Sequence, residues 1–315
     1  MNWKRKALIQ RACASLPVGS EALYYFLQST FGSLRYAPDP MPNLREAAGI
    51  ASVLAAHGAL PEGRRVMEVG TGRRLDMPIA FYLLGAVSVD TVDLHPYLKE
   101  KVVLQTIPSI VANRDELTSL YAPYTDSAAL AQRLDRLASV SSLRDLFGKT
   151  QIRYHAPVDA TATAFLPESF DLQFSYTVFE HIPGPILQGI LRECGRLLSP
   201  QGVACHHIDL SDHFAHDDPS ISFVNFLRYS ESEWRTYNDN QFAYHNRLRE
   251  PEYRRIYAEA RHEVLAWRLW HDQRGQNELS SENFTLAEEF RGQPAEVLST
   301  VVVRAISRPQ PPDSA

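Results

Sequence analysis

The segment of residues 65–95 constrains the fold of this chain more than any other stretch. A short apolar run at residues 66–69 predicts a buried strand, and two glycines follow where the chain must turn sharply. Residues 75–84 predict a buried helix, and residues 87–92 predict a second strand that ends at Asp93. Strand, glycine turn, helix, strand and acid, in that order, predict a βαβ unit of the nucleotide-binding type.

The acidic residue at the end of this unit indicates which ligand the unit could hold. Asp93 lies about 20 residues beyond the glycines, where a carboxylate can accept hydrogen bonds from both hydroxyls of a ribose. A dinucleotide fingerprint needs a third glycine, and Leu75 stands at that position. The pattern therefore makes an oxidoreductase of the NAD type the less favoured function.

Composition and charge exclude several classes of protein. With 44% hydrophobic and 22% charged residues among 315, the chain has the balance of a globular protein with a substantial core. A net charge of -5 argues against a nucleic-acid-binding surface, and no apolar run reaches the ~18 residues that a membrane span needs. The three cysteines lack the spacing of a zinc site or a disulfide framework, so a cytoplasmic location is expected.

The order of patterns along the chain predicts one main domain with additions. Residues 1–62 show helical spacing without strand patterns and predict a helical N-terminal cap, and residues 63–306 form the main domain. Two long insertions interrupt that domain, at residues 96–150 and 211–260. The proline-containing tail at residues 307–315 is expected to be disordered.

Further secondary structure is predicted from periodicity. Five more strand patterns lie at residues 152–155, 170–175, 203–208, 263–270 and 298–306. Helices are predicted at residues 47–60, 128–137, 142–147 and 185–198. A connection as long as the first insertion is commonly functional, and the sequence leaves open whether it is a lid or an oligomer contact.

The residues around the glycine turn resemble a motif of a known family. Glu68-x-Gly70-x-Gly72 is similar to the first motif of the class I S-adenosylmethionine-dependent methyltransferases, E/D-x-G-x-G-x-G. Arg74 stands where that motif has its third glycine, so the chain departs from the family pattern at this position.

Two later motifs extend the resemblance over residues 65–306, apart from the insertions. Asp159-Ala160 matches the place where the family sets an acid against the adenine amino group, and a Leu-x-Pro-x-Gly turn at residues 198–202 precedes the fifth strand. The resemblance implies an α/β fold with a Rossmann-like, seven-stranded, mostly parallel sheet that ends in a C-terminal antiparallel hairpin. The helical N-terminal cap and the helical insertions are additions to that sheet.

The resemblance also implies a cofactor and the residues that bind it. S-adenosylmethionine carries no phosphate, so the glycine loop would allow close approach of the backbone to the ligand. The implied cofactor-binding residues are Glu68, Gly70, Thr71, Gly72, Asp93, Leu94, Asp159, Ala160 and Ser175. Arg73 and Arg74 either extend into solvent or meet the carboxylate of the cofactor.

Three histidines are candidates for the catalytic base that transfer to a hydroxyl would need. His207 and His213, which follow the fifth strand or end it, are favoured over His181, which follows the fourth strand. The carboxyl ends of parallel strands meet at the ligand-binding edge of such a sheet, and neutral imidazole has a suitable basicity near pH 7. Asp209 or Asp212 could orient the ring through its other nitrogen.

Metal binding is an alternative role for the same side chains. Some O-methyltransferases bind magnesium through E-x-x-E-H after strand four, whereas this chain has Thr177 in place of the first glutamate, before Glu180 and His181. Magnesium prefers carboxylate oxygen, so Mg²⁺ is the less favoured alternative and no metal ligand is assigned. Other ligands without diagnostic spacing are Asp209, Asp212, His213 and Asp217.

The second insertion suggests the nature of the acceptor. It is dense in aromatic residues and contains Arg247 and Arg249, which predict either a helical subdomain with surface arginines or a lid for a flat or sugar substrate with an anion. Residues 212–234 resemble bacterial methyltransferases found with polysaccharide and secondary-metabolite enzymes. O-methylation of a small molecule, sugar or secondary metabolite is therefore predicted, without a nucleic-acid partner. A homo-oligomer is compatible with this prediction, and a cofactor-binding but non-catalytic partner subunit is the alternative.

Overall fold

The computed structural model of this protein describes residues 1–16, 18–31 and 38–310. Within these residues, the strands are β1 (Arg65–Val69), β2 (Ser88–Val92), β3 (Ile152–His155), β4 (Phe170–Tyr176), β5 (Leu198–Asp209), β6 (His262–His271) and β7 (Thr300–Pro309). The helices are α1 (Trp3–Ala14), α2 (Ser20–Phe31), α3 (Met41–Ala55), α4 (Asp76–Leu83), α5 (Glu100–Ala112), α6 (Arg114–Tyr121), α7 (Ser127–Ala138), α8 (Leu143–Thr150), α9 (Gly184–Leu197), α10 (Glu231–Asn238), α11 (Glu250–Glu259), α12 (Gln273–Leu279) and α13 (Ala295–Leu298).

The described strands form one sheet in the order β3-β2-β1-β4-β5-β7-β6. The first five strands of this order pair in parallel, and β7 is antiparallel to both β5 and β6. The predicted mostly parallel sheet with a C-terminal antiparallel hairpin is therefore confirmed. Since β1 pairs with β2 on one side and β4 on the other, the order of strands reverses beside β1, where ligands bind in open α/β sheets.

Helices cover both faces of the sheet, and its inner strands are apolar on both sides for this reason. Val66 packs in the layer that contains α3 to α8, whereas its neighbour Met67 packs in the layer of α9 and α11. In the first layer, Phe81 of α4 stacks on Phe174 of β4 with ring centroids 4.0 Å apart. This contact fixes the helix that follows the glycine turn against the centre of the sheet.

The first insertion is a layer of the core. Two of its helices were predicted and are present as α7 and α8, but α5 and α6 were missed, and Pro108 inside α5 interrupts the usual helical pattern. Leu117, Leu130 and Leu146 of this insertion are fully buried in the same core as α3 and α4. The insertion therefore covers one face of the sheet.

The helices of the N-terminal region pack in different places. α3 begins at Met41, earlier than predicted, and belongs to the main core. α1 instead packs on the second insertion, because Trp3 lies 5.4 Å from Phe214 and 4.8 Å from Tyr237 between ring centroids. Asp218 accepts a hydrogen bond of 2.8 Å from the Trp3 backbone N–H, which satisfies a donor in the first turn of α1.

Two boundaries near the C-terminal half differ from the prediction. β5 begins at Leu198, and the Leu-x-Pro-x-Gly residues form an irregularity in its pairing, so that Leu198 pairs with Phe170 and Val203 pairs with Leu172. β7 continues to Pro309, so residues 307–309 are strand and not tail, and residues 311–315 lie outside the described residues. No helix within the described ranges is long and apolar enough to cross a membrane.

The glycine turn after β1 contacts the loop after β4. Gly70 has a φ of 89°, and a Cβ at this position would lie inside contact distance of Cγ1 and Cγ2 of Val178. Gly72 has a φ of 63° with open space around the same position. The need for glycine at position 70 therefore comes from a neighbouring loop of this chain, in addition to the left-handed backbone.

We expect Gly70→Ala to destabilise the protein more than Gly72→Ala. Both variants place a Cβ on a left-handed backbone, which costs about 1–2 kcal/mol, but only the first overlaps Val178, which should add about 1–3 kcal/mol. Unfolding free energies from urea denaturation measure the difference. The double variant Gly70→Ala/Val178→Ala should recover part of the additional loss. Equal destabilisation by the two single variants would show that Val178 does not limit position 70.

Candidate functional site

A cleft of about 740 Å³ opens at the carboxyl ends of β1, β2 and β4, beside the point where the strand order reverses. The glycine loop and the N-terminal end of α4 form one wall, and the loop after β4 and the start of α9 form another. Gln241, Phe242 and Tyr244 of the second insertion close the outer side. Both the sheet and the second insertion therefore contribute to this cavity.

Most of the cofactor-binding residues implied by the sequence meet in this cleft. The predicted residues that line it are Glu68, Gly70, Thr71, Gly72, Asp93, Leu94, Asp159 and Ala160. Ser175 does not line it, because its side chain is fully buried and lies 2.8 Å from Nδ1 of His206 between the hydrogen-bonding atoms. Successive residues of a strand point to opposite faces, and the next residue, Tyr176, lines the cleft instead.

The loops around Asp93 hold its carboxylate in place. Oδ2 accepts a hydrogen bond of 2.8 Å from the Gly72 backbone N–H, and Oδ1 accepts one of 3.0 Å from the His95 backbone N–H. Each carboxylate oxygen keeps a further lone pair for another donor. Burial raises the pKa of Asp93 above its ordinary value, although these backbone donors oppose the shift. Asp93 is thus held in place by the backbone, and each of its two oxygens can accept one more hydrogen bond from a ligand in the cleft.

Glu68 lines the cleft and is hydrogen-bonded to a threonine hydroxyl, which in turn contacts a second threonine hydroxyl. Thr91 donates a short hydrogen bond to Oε2 of Glu68, and the hydroxyl oxygens of Thr91 and Thr71 are 2.5 Å apart. Burial raises the pKa of Glu68 to about 8, since only 4% of the residue is exposed. At neutral pH most of this carboxyl group therefore carries a proton.

Asp76 also lines the cleft, although it was not among the cofactor-binding residues implied by the sequence. α4 begins at Asp76 itself, and the side chain makes no cap hydrogen bond. Its Oδ2 pairs with Arg74 and accepts a hydrogen bond of 3.0 Å from Nδ2 of Asn43. Its Oδ1 is buried and has no hydrogen-bond partner among the described residues. In the sequence, the signal for the Arg74–Asp76 ion pair is an arginine two residues before an aspartate, directly after the glycines.

The opposite wall combines one acid with an apolar surface. Oδ1 of Asp159 accepts hydrogen bonds from the backbone N–H and the hydroxyl of Thr161, at 2.8 and 2.7 Å. Ala160, Ile186 and Ile190 line the cleft next to it. A flat ring with a polar edge suits such a wall, because its faces can pack on aliphatic groups while its edge meets the carboxylate.

The structure corrects the choice of His207 as a cleft residue. His207 is 7% exposed on β5 and does not line the cleft. Its Nδ1 accepts a hydrogen bond of 3.1 Å from Arg304, which also pairs with Glu46. Burial, assisted by the charge of Arg304, lowers the pKa of His207 to about 4. The alternation along β5 turns His206 to the other face, where it stacks on Phe179 at 4.1 Å.

The other two candidate histidines belong to a group that we call the histidine cluster, defined by His181, His213, His216 and His245 around Asp209. His181 lines the cleft, and its ring centroid lies 4.9 Å from that of His213. The centroids of His213 and His245 are 4.3 Å apart. Nε2 of His213 and Nε2 of His216 lie 3.5 and 3.4 Å from Oδ2 of Asp209. His213 thus stands behind His181 and outside the cleft.

The electrostatics of the cluster differ from one member to the next. Its close protein surroundings and the neighbouring His213 lower the pKa of His181, although the ring is exposed to the cleft. Burial alone would raise the pKa of Asp209, but the imidazoles of His213 and His216 hold it below its ordinary value. Asp209 in turn raises the pKa of His216. The sequence could not identify His245, which comes from the second insertion.

The arginines of the second insertion do not reach the cleft. Arg247 is buried and pairs with Glu231 and Glu289, at 2.8 and 3.0 Å. Arg249 is 1% exposed and donates a hydrogen bond of 2.8 Å to the carbonyl oxygen of Leu210. Both side chains hold the insertion together. They do not form the anion site that was one of the two sequence interpretations.

The aromatic residues of the second insertion pack in different places. Five of the ten form a core with α1, among them Phe214, Phe226 and Trp234, and two on α11 pack in the core of α9. Phe242 lines the cleft and is stacked on Tyr24 of α2, with ring centroids 4.4 Å apart. The helical-subdomain and lid interpretations are therefore both consistent with different parts of this insertion.

One family model matches part of this chain. A family model described as a methyltransferase domain matches residues 133–206. A search of curated proteins found no relative that matches this chain.

Many solved structures are distantly similar to this chain, and two of them serve as examples. One is an S-adenosylmethionine-dependent methyltransferase from Methanosarcina mazei, with 12% identity, a TM-score of 0.46, and coverage of 81% of this chain and 96% of that chain. The other is geranyl diphosphate C-methyltransferase from Streptomyces coelicolor A3(2), with 15% identity, a TM-score of 0.46, and coverage of 84% of this chain and 79% of that chain. Similarities this distant do not transfer an activity or an acceptor from one chain to another.

We expect the pH dependence of stability to report on Glu68. Its pKa of about 8 in the folded protein lies above the ordinary 4.5, so the unfolded chain releases a proton that the folded protein keeps. The free energy of unfolding should therefore fall as pH rises between about 4.5 and 8, by up to about 1.4 kcal/mol per pH unit from this group. Chemical denaturation across that range should show a steeper fall for the wild type than for Glu68→Gln. Parallel curves would contradict the assignment.

Proposed function

We propose that this chain is a class I S-adenosylmethionine-dependent methyltransferase and that it transfers the methyl group of S-adenosylmethionine to a hydroxyl of a small molecule or glycan. The cleft at the switch point of the sheet carries this proposal, since the residues implied by the family motifs line it together. Asp93 is the central one, as its two oxygens are fixed by backbone donors and remain able to accept from a diol.

The three regions of the cleft suit the three parts of the cofactor. We assign the ribose to Asp93 and the adenine to the wall of Asp159, Ala160 and the isoleucines of α9. The methionine end then lies over the glycine loop, near Glu68 and Asp76. The buried Oδ1 of Asp76, which has no partner among the described residues, is suited to accept a hydrogen bond from an ammonium group there.

The reaction needs positioning and the exclusion of water more than it needs acid–base chemistry. The cofactor supplies a sulfonium cation that is already activated for in-line displacement, so the protein must align the acceptor and keep water away. Phe242 and Tyr244 stand at the outer side of the cleft, and Tyr24 supports the first of these rings. These aromatic residues are therefore proposed as the part of the acceptor pocket that shields the reacting atoms.

A hydroxyl acceptor must also lose a proton as it attacks, and His181 is the candidate histidine that lines the cleft. Its Nδ1 lies 2.8 Å from the carbonyl oxygen of Tyr244 and donates a hydrogen bond to it, which leaves Nε2 with a lone pair. The lowered pKa keeps the ring neutral and available, but it also makes the ring a weak base. Much of the activation of the acceptor must then come from another group.

We expect Asp93→Ala to weaken binding of S-adenosylhomocysteine at least about tenfold, because removal of a buried acceptor leaves ribose donors unpaired at a cost of about 1–3 kcal/mol. Isothermal titration calorimetry with S-adenosylhomocysteine and with its 2′-deoxy analogue measures the effect. The wild type should discriminate strongly between the two ligands, and Asp93→Ala should discriminate little.

Two controls separate binding from folding in this experiment. Asp126→Ala removes an aspartate that caps α7 outside the cleft, and it should leave both affinities unchanged. Thermal melting should show that Asp93→Ala is folded, since the variant also loses two backbone hydrogen bonds. Equal affinity of wild type and Asp93→Ala for S-adenosylhomocysteine would refute the ribose assignment, and binding of NAD in its place would refute the cofactor.

We expect His181→Gln to lower the rate of methyl transfer by roughly 10²–10⁴ while affinity for S-adenosylhomocysteine changes little. His207→Gln is the matched comparison, since His207 does not line the cleft, and its rate should stay near that of the wild type. Transfer from labelled S-adenosylmethionine to fractions of a metabolite extract identifies the acceptor and then measures both rates.

Three results would decide against parts of this proposal. A large loss in His207→Gln with none in His181→Gln would favour the histidine on β5. Cofactor binding without transfer to any fraction would favour the non-catalytic partner subunit. A labelled product with the methyl group on carbon or nitrogen would exclude a hydroxyl as the acceptor.

A further inference from the structure

Behind the wall of the cleft, a carboxylate and two imidazoles converge. One oxygen of Glu180, one nitrogen of His181 and one nitrogen of His213 all lie within 4.8 Å of one another. Asp209, His213 and His216 form a second such group that shares His213 with the first. The residues come from the turn after β4 and from the chain after β5, so the parallel pairing of these two strands brings them together.

The carboxylate of Glu180 has no partner that explains its burial. Glu180 is fully buried, and neither of its oxygens has a hydrogen-bond partner of normal geometry among the described residues. A buried carboxylate without a partner is among the most unfavourable groups in a protein, and such groups are normally paired or coordinate a metal. The position is therefore suited to a positively charged ligand next to Glu180.

The rings of the two histidines meet beside Glu180, with one nitrogen of each in the ligand group. Since Nδ1 of His181 donates to the carbonyl oxygen of Tyr244 at 2.8 Å, its Nε2 is the nitrogen free to bind a cation. Nε2 of His213 is buried and makes no hydrogen bond of normal geometry among the described residues, since Oδ2 of Asp209 is 3.5 Å away. A backbone carbonyl that fixes the tautomer of a ligating histidine is the usual second interaction around a protein metal ion.

We propose that Glu180, His181 and His213 bind a divalent transition-metal ion of the zinc and iron(II) class, with Asp209 and His216 as adjoining groups. Imidazole nitrogen suits these ions, whereas magnesium takes oxygen ligands and keeps near-octahedral geometry. Thr177 replaces a carboxylate that magnesium would use, and His213 supplies nitrogen in the group instead. Ligand atoms around an ion with bonds of ~2.1 Å lie ~3.4 Å apart, so the three side chains must approach by about an ångström.

The position of His181 gives this ion a role in the proposed reaction. His181 belongs to both the cleft wall and the ligand group, so the ion would lie at the surface that faces the acceptor. A bound cation lowers the pKa of a hydroxyl that it contacts, which supplies the activation that a weakly basic imidazole cannot. This role rests on the proposed methyl transfer, whereas the presence of the ion does not.

Metal binding by the full-length protein tests the site directly. After treatment with a chelator, the protein is titrated with Zn²⁺ by calorimetry and with Co²⁺ by visible absorption, and Mg²⁺ is the comparison cation. We expect one equivalent of Zn²⁺ with micromolar or tighter affinity, intense Co²⁺ bands of a low-coordinate site, and no comparable binding of Mg²⁺. Absence of stoichiometric Zn²⁺ binding, or equal binding of Mg²⁺, would overturn the proposal.

Matched variants locate the bound ion. Glu180→Gln preserves shape, and both it and His213→Ala should weaken Zn²⁺ binding at least tenfold. His57→Ala is the control, because this histidine lies between α3 and β1, outside both ligand groups. His213 does not line the cleft, so His213→Ala should still bind S-adenosylhomocysteine, which also shows that it is folded. Wild-type Zn²⁺ affinity in both variants would overturn the proposal.

The two proposals fail in different ways. Zn²⁺ binding that depends on Glu180, in a protein that does not bind S-adenosylhomocysteine, would support the metal site and reject the proposed function. Methyl transfer that survives removal of Zn²⁺ and is lost in His181→Gln would show His181 acting as a free base, and would overturn the role of the ion at the acceptor.

Discussion

The parallel pairing of β1 with β2 on one side and β4 on the other determines where everything else in this protein can lie. The three strands end at the same edge, so the loops that follow them must diverge to opposite faces and leave a cleft between them. Gly70 allows the loop after β1 to pack on Val178 of the loop after β4, which brings the two walls of the cleft together. Asp93 then ties the loop after β2 to the glycine loop through the Gly72 N–H.

A second theme is the burial of acids around this edge. Glu68 and Glu180 are both buried, and the partner of Glu68 is a threonine hydroxyl, whereas Glu180 has no partner of normal geometry among the described residues. Such acids store unfavourable energy that a cationic ligand can relieve. The sulfonium and ammonium groups of the proposed cofactor would relieve it near Glu68, and the proposed metal ion would do so near Glu180.

A site residue or helix could be predicted from the sequence where neighbouring residues determine its position, and could not where contacts with distant segments do. The glycine loop, Asp93 and the Asp159–Ala160 pair lie together at the cleft, as residues expected in one site should, because each follows a strand whose direction the local pattern already indicates. Ser175 and His207 were misplaced because a shift of one residue along a strand reverses the face of the sheet. The helix with Pro108 was missed because tertiary packing of Val103, Ile107 and Ile110 overrides a local helix breaker.

Periodicity and turn residues act over a few positions, so the order of the strands, the βαβ unit and the acids that end its strands could be predicted from the sequence. That the first insertion is core, that Arg247 and Arg249 hold the second insertion together, and which histidines meet depend on tertiary packing. His181 and His245 are far apart in the chain, and their rings lie 6.1 Å apart because the insertion folds back over the loop after β4. Contacts between distant segments depend on how whole layers pack, and no local pattern contains that information.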